Sequence, residues 1–138
     1  MDSEVRGFVD RVVAGDAEAL MSLSDVPHDL ILDAMAGADL VVDAESVGRV
    51  LRDLARRTID GTAAQRWASF VRRGYIANMR KGGVIKPLMI EYDPRHEEAI
   101  AEIVARLDEI GDAVDGEPPN KEEIDLLLLS LGLTGWDE

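Results

Sequence analysis

The chain of 138 residues carries 28 acidic and 15 basic side chains, a formal net charge of −13 at pH 7, and no cysteine. The lack of cysteine excludes disulfide bonds, thiolate metal sites and thiol nucleophiles. The strong negative charge argues against a phosphate backbone as the principal ligand of the whole surface and favours a basic partner. Length and composition predict one domain over residues 1–138 with loose ends. Without a signal peptide or an apolar run of about 20 residues, a cytoplasmic location without membrane insertion is expected.

Charge is segregated along the sequence. Residues 1–60 hold 13 acids and 6 bases, residues 61–90 hold 6 bases and no acid, and residues 91–138 hold 15 acids and 3 bases. Salt adaptation and simple solubility are alternative explanations of the mean charge, and the acid-free middle weakens the explanation by salt adaptation without removing it. The pattern therefore indicates either internal charge pairing or two different binding faces.

Apolar residues at helical spacing predict three elements before residue 40. The stripe from Val5 to Val13 predicts a first helix, and a short second piece follows it. A third helix is expected to begin after a Ser24 or Asp25 cap and to stop at Gly37. Its predicted buried face consists of Leu30, Ile31, Ala34 and Met35.

Two further helices are predicted on either side of Asp60-Gly61. Asp43 is a suitable N-cap for the first of them, whose inward residues run from Val47 to Ile59 and include Thr58. Asp60-Gly61 is expected to end that helix in a left-handed conformation, and Thr62 is expected to cap the next one. The buried face of this next helix is predicted to consist of Trp67, Phe70 and Val71.

The remaining sequence predicts an extended piece and two more helices. Residues 84–92 surround Pro87 and follow a Gly82-Gly83 break, so they read as a loop or a short β element. A helix of about four turns is expected to begin at an Asp93 cap followed by Pro94 and to end at Asp115-Gly116. The Asn120-x-x-Glu123 capping box opens the last helix. The predicted fold is mainly α, an irregular bundle of about six helices with or without one short β element near 84–92.

Patterns typical of metal or catalytic sites are incomplete in this sequence. His28 and His96 are its two histidines, both expected in solvated first turns, and neither has the second histidine that a helical zinc site needs. The acids from Asp108 to Glu117 recur every three residues rather than at the alternate positions of an EF-hand. Lys81-Gly82-Gly83 lacks the residue order of a phosphate loop. No metal, cofactor or catalytic residue is therefore predicted.

A row of acidic residues, the acidic ridge, is predicted opposite the apolar stripe of the helix after Pro94. At 100° per residue its four members fall within about 80° of each other. They are Glu98, Glu102, Glu109 and Asp112. Together with Asp115 and Glu117 they form the predicted partner-binding set. The alternative is an ordinary solvated face.

The Arg-rich middle, residues 49–86, contains ten basic residues and only two acids. Its bases are Arg49, Arg52, Arg56, Arg57, Arg66, Arg72, Arg73, Arg80, Lys81 and Lys86. Such a segment can hold phosphates or pair with the acidic ends of the same chain.

The last helix, from Ile124 to Leu133, is nearly all apolar. Its leucines cover more than one face, so the helix is either central to the bundle or half buried in an oligomer interface. In the second case a homodimer through Leu126 and Leu129 is expected.

Two stretches resemble small helical immunity proteins of bacterial polymorphic toxin and colicin-type systems. The first is Asp60-Gly61 followed by Trp67-Ala68, and the second is Leu107 to Gly116 followed by Glu122-Glu123 and the leucine-rich helix. Together they cover roughly residues 49–131. The resemblance implies a non-enzymatic cytoplasmic protein that binds a toxin domain, often a nuclease with a basic surface, and occludes its active site. It identifies no individual contact residues.

The predicted function is therefore that of an acidic, cytoplasmic protein-binding protein that inhibits a basic toxin domain. One alternative is a nucleic-acid-binding regulator that uses residues 49–86. The other is a small enzyme of unassigned activity.

Overall fold

The computed structural model describes residues 2–23, 26–74, 88–110 and 117–133. Within these ranges the chain forms six α-helices, one 3₁₀ helix and two strands. They are α1 (Asp2–Val13), the 3₁₀ helix (Ala17–Leu23), α2 (His28–Ala34), β1 (Leu40–Val42), α3 (Ala44–Ala55), α4 (Gly61–Arg73), β2 (Ile90–Tyr92), α5 (Glu97–Asp108) and α6 (Lys121–Ser130). The fold is mainly helical, as the sequence predicted.

The two strands form a small parallel sheet. Leu40 lies opposite Ile90 and Val42 lies opposite Tyr92, and the Asp93 amide extends the ladder by donating to the Val42 carbonyl at 2.9 Å. Parallel strands require a long crossover between them, and here α3 and α4 lie between them in sequence. The short β element predicted near 84–92 is confirmed by β2, whereas β1 was not predicted.

A single cluster of buried side chains joins the helices. Trp67 and Phe70 of α4 are fully buried at its centre, and Trp67 Nε1 donates to the Val12 carbonyl of α1 at 2.6 Å. α5 contributes Ile100, Ile103, Val104 and Leu107, and α6 contributes Ile124 and Leu128. The interpretation of Trp67 as a core residue is confirmed. Burying each large apolar side chain contributes about 1.5–3 kcal/mol to stability.

Three of the helices begin at side-chain caps. Asp43 Oδ1 accepts from the Ser46 amide at 2.8 Å, and Asn120 Oδ1 accepts from the Glu123 amide at 2.9 Å, as predicted. The start of α4 differs from the prediction, because Asp60 Oδ1 accepts from the Ala63 amide at 2.8 Å. Asp60 is therefore the N-cap of α4, and Thr62 is not.

The end of α3 also differs from the prediction. Arg57, with φ 62°, takes the left-handed conformation that was expected at Asp60-Gly61. Because the helix ends before this residue, Thr58 is exposed while Ile59 remains buried. The left-handed exit therefore comes four residues before Gly61.

Two other predicted helices are shorter than expected. α2 has seven residues, and Leu30 on it is exposed rather than buried, although Ile31, Ala34 and Met35 are buried. α5 begins at Glu97 and ends at Asp108, with Glu109 as its C-cap. The caps predicted at Ser24 or Asp25 and the helix end predicted at Asp115-Gly116 lie outside the described residues.

Candidate partner-binding surfaces

The outer face of α5 is acidic. Glu98, Glu102 and Glu109 are all exposed, whereas Ile100, Ile103 and Leu107 on the opposite side are buried in the core. Within the described ranges, no ion pair reaches these three glutamates. Three members of the acidic ridge therefore share one solvent-facing surface.

The other predicted partner-binding residues are placed as follows. Glu117 is exposed, and its carbonyl accepts from Arg106 Nη2 at 3.0 Å. Asp112 and Asp115 lie outside the described residues. The surface that the structure brings together thus consists of Glu98, Glu102 and Glu109.

Asp108 lies on the same helix but has a different role. Its side chain is only 6% exposed and accepts from Arg72 Nη1, Arg73 Nη1 and Gln65 Nε2, each at 3.0 Å. All three donors belong to α4, and the two arginines lie in its last turn, where positive charge also stabilises a helix. The C-terminal end of α4 is therefore paired internally with α5, one of the two alternatives that the charge pattern left open.

A second ion pair connects α5 to α6. Arg106 Nε donates to Glu123 Oε2 at 2.8 Å, and Arg106 Nη2 donates to Glu123 Oε1 at 3.1 Å. Such a two-point contact fixes orientation as well as distance. α5 is thus held to α4 at one end and to α6 through Arg106, while its glutamates face solvent.

A polar cleft of about 520 Å³ lies beside α3 and contains part of the Arg-rich middle. It is lined by Ala14, Asp43, Glu45, Ser46, Arg49, Arg52, Asp53 and Arg56. Three acids thus match three bases, and Arg49 also lies 4.0 Å from Asp16. A cleft with balanced charge does not provide the single-sign field that attracts a polyanion.

Burial raises the pKa of Asp53 in this cleft, against the opposing effect of Arg49 and Arg56. Removal from water therefore disfavours the ionised carboxylate more than the neighbouring arginines stabilise it. The cleft therefore brings acids and bases of the same chain together.

The two histidines are not arranged as expected. His28, the first residue of α2, is 3% exposed instead of solvated, because the helix starts directly after Pro27 and turns its first side chain inward. His96 is half buried at the N-cap of α5, and Asp93 does not cap that helix. Asp93 instead accepts from Arg95, whose side-chain hydrogen bond holds the pKa of this carboxyl below its usual range.

In the described ranges, no three His, Asp or Glu side chains are grouped so that they could hold a metal ion. Among the helices of those ranges, none combines the length and the apolar character needed to cross a membrane.

The leucine-rich helix is half buried. Ile124 and Leu128 face the core, while Leu126 is 66% exposed and Leu129 is 67% exposed. The helix is therefore not buried on all sides as a central helix of the bundle would be, and the predicted oligomer interface stays a prediction. We refer to Leu126 and Leu129 as the leucine patch.

Comparisons with protein-family models, with curated proteins and with solved structures found no match. The function proposed for the chain is therefore inferred from the surfaces described above.

Proposed function

We propose that this chain is an acidic protein-binding protein that captures a basic partner on the acidic ridge, as an immunity protein captures its toxin domain. The observation that supports this proposal is the contrast within α5. Asp108 forms ion pairs with two arginines of α4. In contrast, Glu98, Glu102 and Glu109 face solvent.

The local charge balance supports the same conclusion. Residues 88–110 carry seven acids and two bases. Both bases are already used, since Arg95 pairs with Asp93 and Arg106 pairs with Glu123. Grouped carboxylates produce a negative potential that accelerates the capture of a basic surface by about 10- to 1,000-fold and repels acidic competitors.

The rival proposal, a nucleic-acid-binding regulator, has less support. Arg72 and Arg73 are paired with Asp108, and the arginines of the α3 cleft are matched by acids. Arg80, Lys81 and Lys86 lie outside the described residues. A small enzyme remains the third proposal, although no nucleophile with a base and an orienting group is visible among the described residues. We propose a cytoplasmic protein that acts without a cofactor.

The acidic ridge is tested by reversing Glu98, Glu102 and Glu109 to Lys and measuring the association rate by stopped-flow fluorescence. The partner in this measurement is the toxin domain that we expect the neighbouring reading frame to encode. At low salt the rate should fall by about one to two decades, and the difference should shrink as added salt screens the field.

A matched control reverses three exposed acids elsewhere, Asp10, Asp33 and Asp39. It changes the net charge equally, so it separates a local effect of the acidic ridge from an effect of total charge. Equal rates for both triple variants would overturn the proposal that the acidic ridge is the binding face.

The toxin-inhibitor role has a separate test in growing cells. Co-expression of this chain with the neighbouring toxin domain should restore growth, and the ridge variant should restore it less well. If the toxin domain remains lethal, the immunity role is wrong. Salt-dependent retention on DNA or RNA would instead favour the nucleic-acid-binding rival.

A further inference from the structure

We infer that the leucine patch is the apolar centre of a second contact, which accepts a partner segment with an apolar stripe and basic flanks. This inference rests on the proposed function, because the basic chemistry of the partner is common to both. It adds a surface on α6 that the acidic ridge does not include.

Exposed carboxylates border the leucine patch. At 100° per residue, Glu122, Leu126 and Leu129 fall within about 60° of each other on α6, and Asp125 lies directly beside them. All four side chains are exposed. An apolar pair with acidic neighbours is complementary to an apolar stripe with Lys or Arg beside it.

The leucine patch cannot turn inward without dismantling the packing of α6. Ile124 and Leu128 already fill the core side of the helix, and Glu123 is held by Arg106. Gly48 of α3 provides the space for this close approach, because a Cβ at that position would meet the Leu133 side chain. α6 is therefore a fixed platform, and a partner would not have to order it on binding.

Exposure of a single leucine needs no explanation, but two leucines on one helical face form a continuous apolar surface. Met89 is more exposed than either leucine, but it belongs to the segment before β2 and not to α6. In an interface a few residues near the centre, from which water is excluded, supply most of the affinity.

Two candidates could occupy the leucine patch, a second copy of this chain and a partner segment with basic flanks, and charge distinguishes them. In a two-fold dimer through the leucine patch, each copy would bring Glu122 and Asp125 to the same interface. Both side chains are exposed, so two copies would place like charges together. A basic-flanked partner turns the same carboxylates into favourable contacts, and it is therefore the occupant that we propose.

The experiment uses the full chain and two synthetic amphipathic helical peptides with the same leucine stripe. One peptide carries Lys on its flanks and the other carries Glu. The lysine-flanked peptide should bind, with amide shift changes on α6 in NMR spectra, and the glutamate-flanked peptide should bind at least about tenfold more weakly.

The Leu126→Gln/Leu129→Gln variant should bind the lysine-flanked peptide about tenfold more weakly or worse, because two apolar contacts are lost. Gln is a good helix former, so α6 should remain folded. If circular dichroism nevertheless shows unfolding, the Leu126→Ala/Leu129→Ala variant replaces it. The Leu30→Gln/Met89→Gln variant removes two other exposed apolar side chains and should bind like the parent chain.

Two results would overturn the inference. One is equal peptide affinity for the leucine variant and its control. The other is a parent chain that sediments as a dimer, does not bind the peptide and becomes monomeric in the leucine variant, because the occupant is then a second copy.

The acidic-ridge variant separates this inference from the proposed function. If only the ridge variant loses capture of the partner, the proposed function is supported and the inference about the leucine patch is wrong. If only the leucine variant loses capture of the partner, the inference about the leucine patch is supported and the proposal that the acidic ridge is the binding face is wrong.

Discussion

Arg73 of α4 contacts both carboxylate oxygens of Asp108 of α5 through one guanidinium nitrogen. Arg73 Nη1 lies 3.0 Å from Asp108 Oδ2 and 3.3 Å from Asp108 Oδ1. The same nitrogen donates to Ser69 Oγ at 2.6 Å, one turn back on α4, so the guanidinium is oriented by its own helix. This pair holds α5 in the orientation that leaves its glutamates facing solvent.

We expect the Asp108→Asn variant to lose about 1–3 kcal/mol of unfolding free energy, because a buried acceptor of charged donors is replaced by a neutral amide. Two adjacent arginines then lose their shared counter-charge. The control is Glu109→Gln, an exposed neighbour whose substitution should change stability by no more than about 0.5 kcal/mol. Urea unfolding measures both, and equal effects would show that Asp108 contributes no more than a surface charge.

The start of α4 gives a second prediction. Asp60→Ala removes the acceptor of the Ala63 amide and should cost about 1 kcal/mol. Thr62→Ala removes the residue that the sequence suggested as the cap, and it should cost less than about 0.5 kcal/mol. The reverse order in thermal or urea unfolding would mean that Thr62 caps the helix.

Local signals in the sequence were sufficient for several elements. Asp43 and Asn120 cap helices as predicted, and the spacing of Trp67 with Phe70 identified the core face of α4. Each of these signals depends on residues within about one or two turns of each other.

Features that depend on distant contacts were missed. β1 is three residues long and is defined by its pairing with β2, about 50 residues later. The left-handed conformation of Arg57, which follows the end of α3, was not indicated by any residue preference. The burial of His28 likewise depends on how α2 packs, which a seven-residue segment does not reveal.

In the candidate site, too, local spacing was informative and distant contacts were not visible from the sequence. The helical angle correctly grouped Glu98, Glu102 and Glu109 on one exposed face. It also placed Asp108 about 80° from Glu98, but it did not reveal that α4 lies on that side with its arginines. Periodicity separates the faces of a helix, whereas only tertiary structure shows what each face meets.

A pH dependence follows from Asp53, whose pKa is raised by burial. An acid with a higher pKa when folded binds protons more tightly in the native state, so its contribution to stability is present below its unfolded pKa of about 3.9. That contribution is lost as the pH rises through the folded pKa. The stability of Asp53→Asn relative to the parent should therefore increase with pH across this window.

Urea unfolding at a series of pH values from about 3 to 7 measures this dependence. Asp33→Asn, at an exposed position of α2, is the control and should follow the parent curve. If Asp53→Asn instead loses stability relative to the parent as the pH rises, its neighbouring arginines outweigh burial.

The close approach of α3 and α6 at Gly48 gives the last prediction. By helix propensity alone, Gly48→Ala should stabilise α3 by about 1 kcal/mol. The new methyl group would however collide with the Leu133 side chain and lie 3.7 Å from Leu128 Cδ2. Leu133 Cδ1 is the end of a flexible, half-buried side chain that can move aside, so the collision should offset only part of this gain. We therefore expect Gly48→Ala to stabilise the protein by less than about 1 kcal/mol.

Two comparisons isolate this collision. Gly7→Ala on α1 meets no atom within 4 Å and should show the gain of about 1 kcal/mol without the penalty. In a Leu133→Ala background the obstruction is removed, so Gly48→Ala should stabilise more than it does in the parent chain, with a coupling energy of about 0.5 kcal/mol. Additive effects of the two substitutions in urea unfolding would show that Leu133 does not pack against Gly48, and α6 would then be attached to α3 by Leu128 without this contact.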